Sequence, residues 1–510
     1  MVDVDLATHG DRPAVIMAET DAGLSFRELD AGANQLARLL AAHGLGVGDH
    51  LAILMSNELR YLEVAWAAQR SGLFYTPVNW HLTAEEAAYI VRDCGAKVLI
   101  ASAALAELAR RIAEDVPGLA SRLMIGGARP GFEDYAAALA GYPPEPMADQ
   151  VEGRYMYYSS GTTGRPKGIT VELSGEPFGT GLPLDRLLST AYGFGPDSVY
   201  LCTGPLYHAA PLGWSLGTQR NGGTVVLMER FDPLRALELI ERHRITHAQF
   251  VPAMFVRMLK LPEATRRGFD TSSLQVAVHA AAPCPVEVKQ AMIDWWGPVV
   301  HEYYAGSEGA GFCAIDSPTW LRHRGSVGRA LIGTPHIVDE SGIELPVGEV
   351  GTVWFADAPR FEYHNDSAKT ASAYDERGWS TLGDLGRLDE EGFLYLADRR
   401  TDLIISGGVN IYPREVEDVL TLHPAVADIA VIGVPDEEMG QQVKAVVQPV
   451  DPERAGPELA GELVDYCRER LAHYKCPRSV DFDPALPRLP SGKLLKRVIR
   501  ERYWASHTPG

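Results

Sequence analysis

Leu51-Ala52-Ile53-Leu54-Met55, Phe74-Tyr75-Thr76-Pro77-Val78 and Lys97-Val98-Leu99-Ile100-Ala101 are three apolar runs of strand length, separated by two stretches with helical signals. The first helix is expected over residues 58–70. The second opens at Thr83, placed three residues before Glu86 in the spacing of a capping box, and stops at Gly95. Continuous apolar strands alternating with helices mean βαβ units, because a parallel sheet needs crossover helices that cover both of its faces. The fold class read from this stretch is α/β. Upstream, Ser25-Phe26-Arg27-Glu28 forms a second capping box, with Leu24 and Leu29 placed as a hydrophobic staple. The helix it opens carries Leu29, Leu36, Leu39 and Leu40 on one face and ends near Gly44. Residues 1–150 read mainly as scaffold.

A chain of 510 residues exceeds what one hydrophobic core usually supports, so at least two domains are expected. Its formal charge of −20 argues against nucleic acid and against an anionic membrane surface as the main partner. Six cysteines (Cys94, Cys202, Cys284, Cys313, Cys467 and Cys476) form no CxxC pair and no zinc spacing, and read as reduced structural thiols. The acidic start, Met1-Val2-Asp3-Val4-Asp5, lacks an apolar signal core, and no apolar run approaches the length of a membrane span. A cytoplasmic protein is expected.

Phosphate chemistry is concentrated in Tyr157-Tyr158-Ser159-Ser160-Gly161-Thr162-Thr163-Gly164-Arg165-Pro166-Lys167-Gly168-Ile169. A loop of this kind offers an anion backbone N–H groups, several hydroxyls and one cation, and its glycines allow close approach. It differs from a Walker A loop, because Lys167 is followed by Gly168 and a β-branched run rather than by Ser or Thr at a helix start. Most short glycine-rich loops are merely solvated turns, but a string of this length favours a nucleotide-phosphate role.

Further along, residues 198–203 and 224–229 read as strands and 233–242 as a helix. Between the strands, His208 stands in the loop Pro205-Leu206-Tyr207-His208-Ala209-Ala210-Pro211, close to Trp214, where aromatic and small residues suit the rim of an organic pocket. Residues 275–279 and 299–304 read as strands flanking a helix over 286–296. The second strand runs into Ala305-Gly306-Ser307-Glu308-Gly309, which puts a carboxylate at a sheet edge, where α/β proteins bind ligands. Glu308 there could hold Mg²⁺ beside nucleotide phosphates, although a lone turn glutamate is usually a surface residue. Asp384, read as lying between glycines after a strand in Leu382-Gly383-Asp384-Leu385-Gly386, suits a ribose diol. Asp398-Arg399-Arg400-Thr401-Asp402 reads as an interdomain linker. After it a small α+β pattern restarts, with helices over 414–422 and 458–471 and strands over 429–433 and 442–449. Lys493 follows on a Pro/Gly-framed turn, Leu489-Pro490-Ser491-Gly492-Lys493.

Taken together, these motifs resemble the adenylate-forming superfamily of acyl-CoA synthetases, peptide-synthetase adenylation domains and beetle luciferases, in the family's order and over nearly the whole chain. The acyl-CoA synthetase, or fatty-acid–CoA ligase, type is the most similar. The resemblance implies a large multi-sheet N-terminal domain with parallel α/β subdomains over 1–397, a hinge at 398–402, and a small mobile α+β C-terminal domain over 403–510. It implies that the loop Ser159, Ser160, Gly161, Thr162, Thr163, Gly164 and Lys167 meets the ATP phosphates. Tyr304 would lie near adenine, Ser307 near the α-phosphate, and Glu308 on Mg²⁺. Asp384 and Arg399 would hold the ribose, and Lys493 would be the lysine that contacts the carboxylate and α-phosphate during adenylation. Gly407 and Gly408 match the loop lining the pantetheine tunnel for coenzyme A, and His208 matches a histidine at the acyl pocket. Three departures stand out: Ala305 for the usual glycine, Leu382 for the threonine of Thr-Gly-Asp, and Thr401 at a hinge position usually Asp or Lys. None removes a charged catalytic group.

The implied partners are ATP, a carboxylic acid and coenzyme A, with Mg²⁺ as cofactor and a homodimer as an admissible assembly. Candidate acyl-pocket residues are Tyr207, His208, Trp214, Phe250, Val251, Met254, His279, Ala280 and Gly306. Their mix of small and aromatic side chains suits a long or bulky apolar acid better than acetate. Passing the acyl group to a carrier protein is the alternative within enzymes, and a non-catalytic acyl-nucleotide sensor the alternative outside them.

Overall fold

The computed structural model describes residues 6–159, 166–399, 402–407, 409–436, 438–488 and 494–505, with 398 and 399 described by their backbone. The chain packs into two compact units. One comprises Met1–Phe250, Lys260–Val278 and Arg360–Ser372; the other comprises Val251–Leu259, His279–Pro359 and Ala373–Gly510.

In the first unit the three apolar runs become the centre of a six-stranded sheet. Its order is Glu133–Asp134, Ser121–Ile125, Ala96–Ser102, His50–Leu54, Phe74–Pro77, Arg154–Tyr155, and every neighbouring pair is parallel. The helix Ala84–Asp93 begins at the expected Thr83 capping box, and Phe26–Ala42 begins at the Ser25 box. Each such cap is typically worth about 1 kcal/mol. Helix residues Ala87, Ile90, Val91 and Ile112 pack with Leu99, Ala101 and Met124 of the strands in one buried cluster.

A further parallel set in this unit runs His247–Phe250, Val199–Cys202, Thr224–Leu227, Pro13–Met17, closed by the antiparallel strand Gly23–Ser25. Two strands flank the glycine loop as the sequence indicated: Tyr157–Ser159 and Lys167–Thr170 pair antiparallel, with Lys167 opposite Ser159. A third, Glu362–Tyr363, joins them with Tyr363 opposite Ile169.

Helices of this unit that were not read from the sequence include Ala106–Asp115 and two others. Residues 205–211 read as a loop, but the helix Ala209–Arg220 begins inside that stretch. Every residue from Leu212 to Arg220 is buried, so the helix has no polar face and shows no amphipathic period. Pro211 lies in its first turn, where no N–H partner is needed. The other helix is Pro183–Tyr192.

The second unit contains an antiparallel three-strand set, Val300–Ala305, Phe312–Ile315 and Arg329–Ile332. It also contains a four-stranded antiparallel sheet in the order Thr334–Val338, Gly351–Ala356, Ser380–Leu388, Leu394–Arg399. The last strand includes Asp398 and Arg399, so the charged run begins within a sheet. Beyond it, Val426–Asp436, Gly440–Pro449 and Ser479–Phe482 form a mixed sheet flanked by the helices Pro413–Thr421, Pro457–Arg468 and Lys496–Trp504. Strand periodicity shows here. Ile429 and Val431 enter a cluster with Val416, Leu420, Leu459 and Leu463, while Ala430, Ile432 and Val434 enter another with Leu486 and Ile499. This is the expected C-terminal α+β architecture, covered on both faces. Among the described residues no helix is long and apolar enough to cross a membrane.

Candidate active site

The candidate residues fall into two groups, one in each unit. In the first unit Ser159 ends one strand and Lys167 opens the next; Ser160, Gly161, Thr162, Thr163 and Gly164 lie outside the described residues. Lys167 Nζ lies 2.6 Å from Asp366 Oδ2, with both side chains partly exposed. The hydrogen bond from Lys167 lowers the Asp366 carboxyl below its ordinary range, and the same bond raises the lysine. Asp366 Oδ1 accepts from the Lys369 backbone N–H at 2.9 Å. Beside Lys167, a Cβ on Gly168 would come within 2.4 Å of Met156 Cε and 3.0 Å of both His364 Cβ and Tyr158 Cζ, so a side chain there requires its neighbours to shift.

Of the acyl candidates in this unit, Tyr207 is 5% exposed and its ring is tilted against that of His208, with centroids 4.6 Å apart. The Trp80 and His81 rings stand edge-on to Tyr207, each at 6.4 Å. His208 occupies the N-cap position of the helix Ala209–Arg220. Trp214 and Phe250 are 1% exposed, and Trp214 packs among Tyr192, Phe194 and Tyr200. Those two are core side chains in this conformation, and Tyr207 and His208 are the pair nearer the surface.

In the second unit Tyr304 is the penultimate residue of its strand, and its hydroxyl donates to Asp384 Oδ2 at 2.6 Å. Asp384 is buried in mid-strand rather than placed after one, and its backbone lies opposite Arg399. Ser307 and Glu308 form a turn closed by the Gly309 N–H on the Gly306 carbonyl, with Ser307 exposed and Glu308 half-buried. Gly306 is hemmed in: a Cβ there would meet Leu382 Cδ1 at 2.7 Å and Glu308 Oε2 at 2.8 Å. Leu382, one of the departures from the family pattern, thus packs on the glycine that carries the Ser-Glu turn.

His279 is fully buried at the end of the strand Val276–His279. Its Nε2 stands 3.6 Å from Glu302 Oε2, the oxygen that also takes Lys289 Nζ at 2.6 Å. Burial pushes the imidazole down to about 3, so it is neutral. Burial alone would raise the Glu302 carboxyl, but the Lys289 ammonium, by its charge and its hydrogen bond, counts against that, and the carboxyl is left lowered. Ala280 is buried next to His279, and Met254 is half-buried on the helix Pro252–Leu259. Gly407 donates its N–H to the Met439 carbonyl at 2.8 Å, whereas Gly408 and Lys493 lie outside the described residues.

Among the described residues no cluster of three or more His, Cys, Asp or Glu could hold a metal. A lone half-buried carboxylate such as Glu308 still suits Mg²⁺, which takes one or two carboxylates and fills its shell with phosphate oxygens and water. Asp366 was not foreseen. Its only local signal is that of a helix N-cap, and nothing local shows a partner 199 residues away.

Residues 2–359 match the AMP-binding enzyme family, and residues 415–493 match the AMP-binding enzyme C-terminal domain. The chain belongs to the AMP-binding enzyme family. This AMP-forming ligase is 33% identical over 508 residues to a long-chain-fatty-acid–CoA ligase of Mycobacterium tuberculosis, covering 97% of this chain and 96% of that protein. It is also 33% identical over 482 residues to a feruloyl-CoA synthase of an Amycolatopsis species, covering 94% of each. Among solved structures, an amide bond synthetase from Marinactinospora thermotolerans superposes with a TM-score of 0.81 at 28% identity, covering 98% of both chains.

Proposed function

We propose that this enzyme activates a long or bulky apolar carboxylic acid as its acyl-AMP and then transfers the acyl group to coenzyme A. One observation carries the reading: two relatives aligned over more than nine-tenths of the chain are named for making CoA thioesters of bulky acids, one of long-chain fatty acids and one of ferulate.

In this reading the acid attacks the α-phosphorus of ATP and pyrophosphate leaves. The CoA thiol then displaces AMP, which converts an unreactive carboxylate into a good acyl donor. Thr162, Thr163 and Lys167 take the phosphates, Tyr304 borders the adenine, and Asp384 with Arg399 takes the ribose. Ser307 and Lys493 meet the α-phosphate, where charge accumulates in the first transition state. One such donor is typically worth roughly 10²–10³ in rate. Glu308 would hold Mg²⁺, which when bound supplies positive charge at the phosphates. Tyr207 and His208 border the acyl group, and Gly407 with Gly408 admits the pantetheine arm. Residues 1–397 act as the adenylation domain and 403–510 as a second domain turning about 398–402. That turn exchanges Lys493 for the thiol.

The acceptor has a rival, since the amide bond synthetase shares the fold at 28% identity. AMP release across a panel of acids, with CoA present or absent, separates the readings. Rapid AMP release with thioester only when CoA is added supports the proposal. Turnover that ignores CoA but responds to amines or to a carrier protein overturns it.

A further inference from the structure

We infer that Asp366 is the positioning residue for Lys167, holding its ammonium in place before nucleotide arrives so that the polyphosphate meets a fixed cation. The inference rests on the reading of Lys167 as a phosphate ligand and extends it to a residue 199 positions away.

The carboxylate is itself held. Asp366 Oδ1 accepts from the Lys369 N–H, which leaves Oδ2 for Lys167 at 2.6 Å. The segment bearing it is docked by three hydrogen bonds from two successive residues. The His364 N–H donates to the Gly168 carbonyl at 2.8 Å, and His364 Nε2 donates to the Asp93 carbonyl at 3.0 Å. Asn365 Nδ2 reaches the same Asp93 carbonyl at 3.3 Å. Asn365 adopts φ +56°, a left-handed turn that asparagine tolerates, and it lets His364 and Asn365 face Asp93 while Asp366 faces Lys167. On the other side, the crowding of Gly168 by Met156, Tyr158 and His364 fixes the backbone from which the lysine springs.

Lysine carries its charge on a flexible stem, and ordering that stem is a cost normally charged against binding. An ammonium has three N–H donors, so one bond to Asp366 leaves two for phosphate oxygens. A donor fixed beforehand contributes more than one that must be collected from solvent. If the carboxylate merely competed with phosphate for the lysine, its removal would tighten ATP binding. The two readings therefore predict opposite signs.

The test is pyrophosphate exchange by the full-length enzyme, with KM for ATP and for the acid measured separately. Asp366→Ser keeps a helix-capping oxygen but is too short to reach Lys167, and Asp366→Asn keeps an acceptor at full reach. We expect Asp366→Ser to raise KM for ATP about tenfold, the scale of one immobilised side chain, while KM for the acid stays unchanged. Asp366→Asn should recover part of the loss. Lys167→Ala should also raise KM for ATP, and adding Asp366→Ser to it should have no further effect. Unchanged or lowered KM for ATP in Asp366→Ser, or additive losses in the double variant, overturns the positioning role. Unchanged KM for ATP in Lys167→Ala instead defeats the underlying reading of the lysine. Thermal midpoints near wild type for Asp366→Ser confirm that the comparison is made on folded protein.

Discussion

The Tyr304 hydroxyl and the Asp384 carboxylate meet at 2.6 Å, joining the end of one strand to the middle of another 80 residues later. A hydrogen bond to a charged group is worth about 1.5–3 kcal/mol, and here it also fixes the rotamer of a buried acid. If Asp384 receives the ribose, Tyr304→Phe raises KM for ATP about tenfold and leaves KM for the acid alone. Pyrophosphate-exchange kinetics read both; equal changes in the two constants would point to general damage.

A Cβ on Gly306 would crowd the Leu382 methyls and the Glu308 carboxylate, so a side chain there must displace one of them. Gly306→Ala is expected to push Glu308 aside and cut adenylation by about 10²-fold, the usual penalty for an ångström-scale misplacement. Pairing it with Leu382→Ala opens one side and should restore part of the rate. A double variant no better than Gly306→Ala would place the strain elsewhere.

Lys289 and Glu302 form a buried ion pair with His279 against it. Lys289→Met strands the carboxylate and should cost about 3–5 kcal/mol, whereas Lys289→Met with Glu302→Leu should cost far less. Denaturant midpoints of the two variants decide the point. Equal losses would mean that the other contacts of Lys289, among them its ammonium over the Trp320 ring at 4.9 Å, outweigh the stranded carboxylate.

The same cluster sets an acid limit. His279 titrates near 3 in the fold because of burial, with Glu302 opposing that shift and Lys289 and His301 adding to it. In the unfolded chain it titrates near the ordinary value of about 6.5. Between these values the unfolded state binds the extra proton, so stability is intact above pH 6.5 and declines as pH falls toward 3. Glu302, lowered in the fold, acts in the same direction at the acid end. Thermal midpoints measured from pH 7 to 4 should fall less steeply in His279→Gln than in wild type; parallel curves would remove His279 from the acid response.

Lys493→Ala is expected to lower acyl-AMP formation by 10² or more, roughly the worth of one preorganised donor, yet spare thioester formation from supplied acyl-AMP. Thr401→Pro should do the reverse, because it stiffens the proposed hinge. Single-turnover measurements of each half-reaction separate the two. Losses shared equally between the half-reactions would refute the division of labour.

How much of this was readable from residues alone depended on whether the signal was local. The capping boxes at Ser25 and Thr83, the strand runs around residues 51–101 and the C-terminal α+β pattern all formed, because hydroxyl spacing and apolar periodicity act within a few residues. The helix Ala209–Arg220 was hidden by burial on every side, which erases the period. Trp214 and His279 looked like pocket residues because aromatic type is visible in a sequence and burial is not. Asp366 was missed for a third reason: its partner is set by how Glu362–Tyr363 pairs with Lys167–Thr170, a contact no short window contains.

All six cysteines are buried and free of disulfides, and burial raises the thiol pKa at each, as at Cys202, which rises to about 11. Thiolate, the reactive form, is therefore scarce at neutral pH, and what little forms is enclosed. The enzyme thus presents a chemically silent background to thiol reagents. A cysteine introduced at an exposed position such as Ser307 would be its one fast-reacting thiol, and if Ser307 borders the α-phosphate as proposed, shielding of that thiol by nucleotide would report occupancy without any turnover.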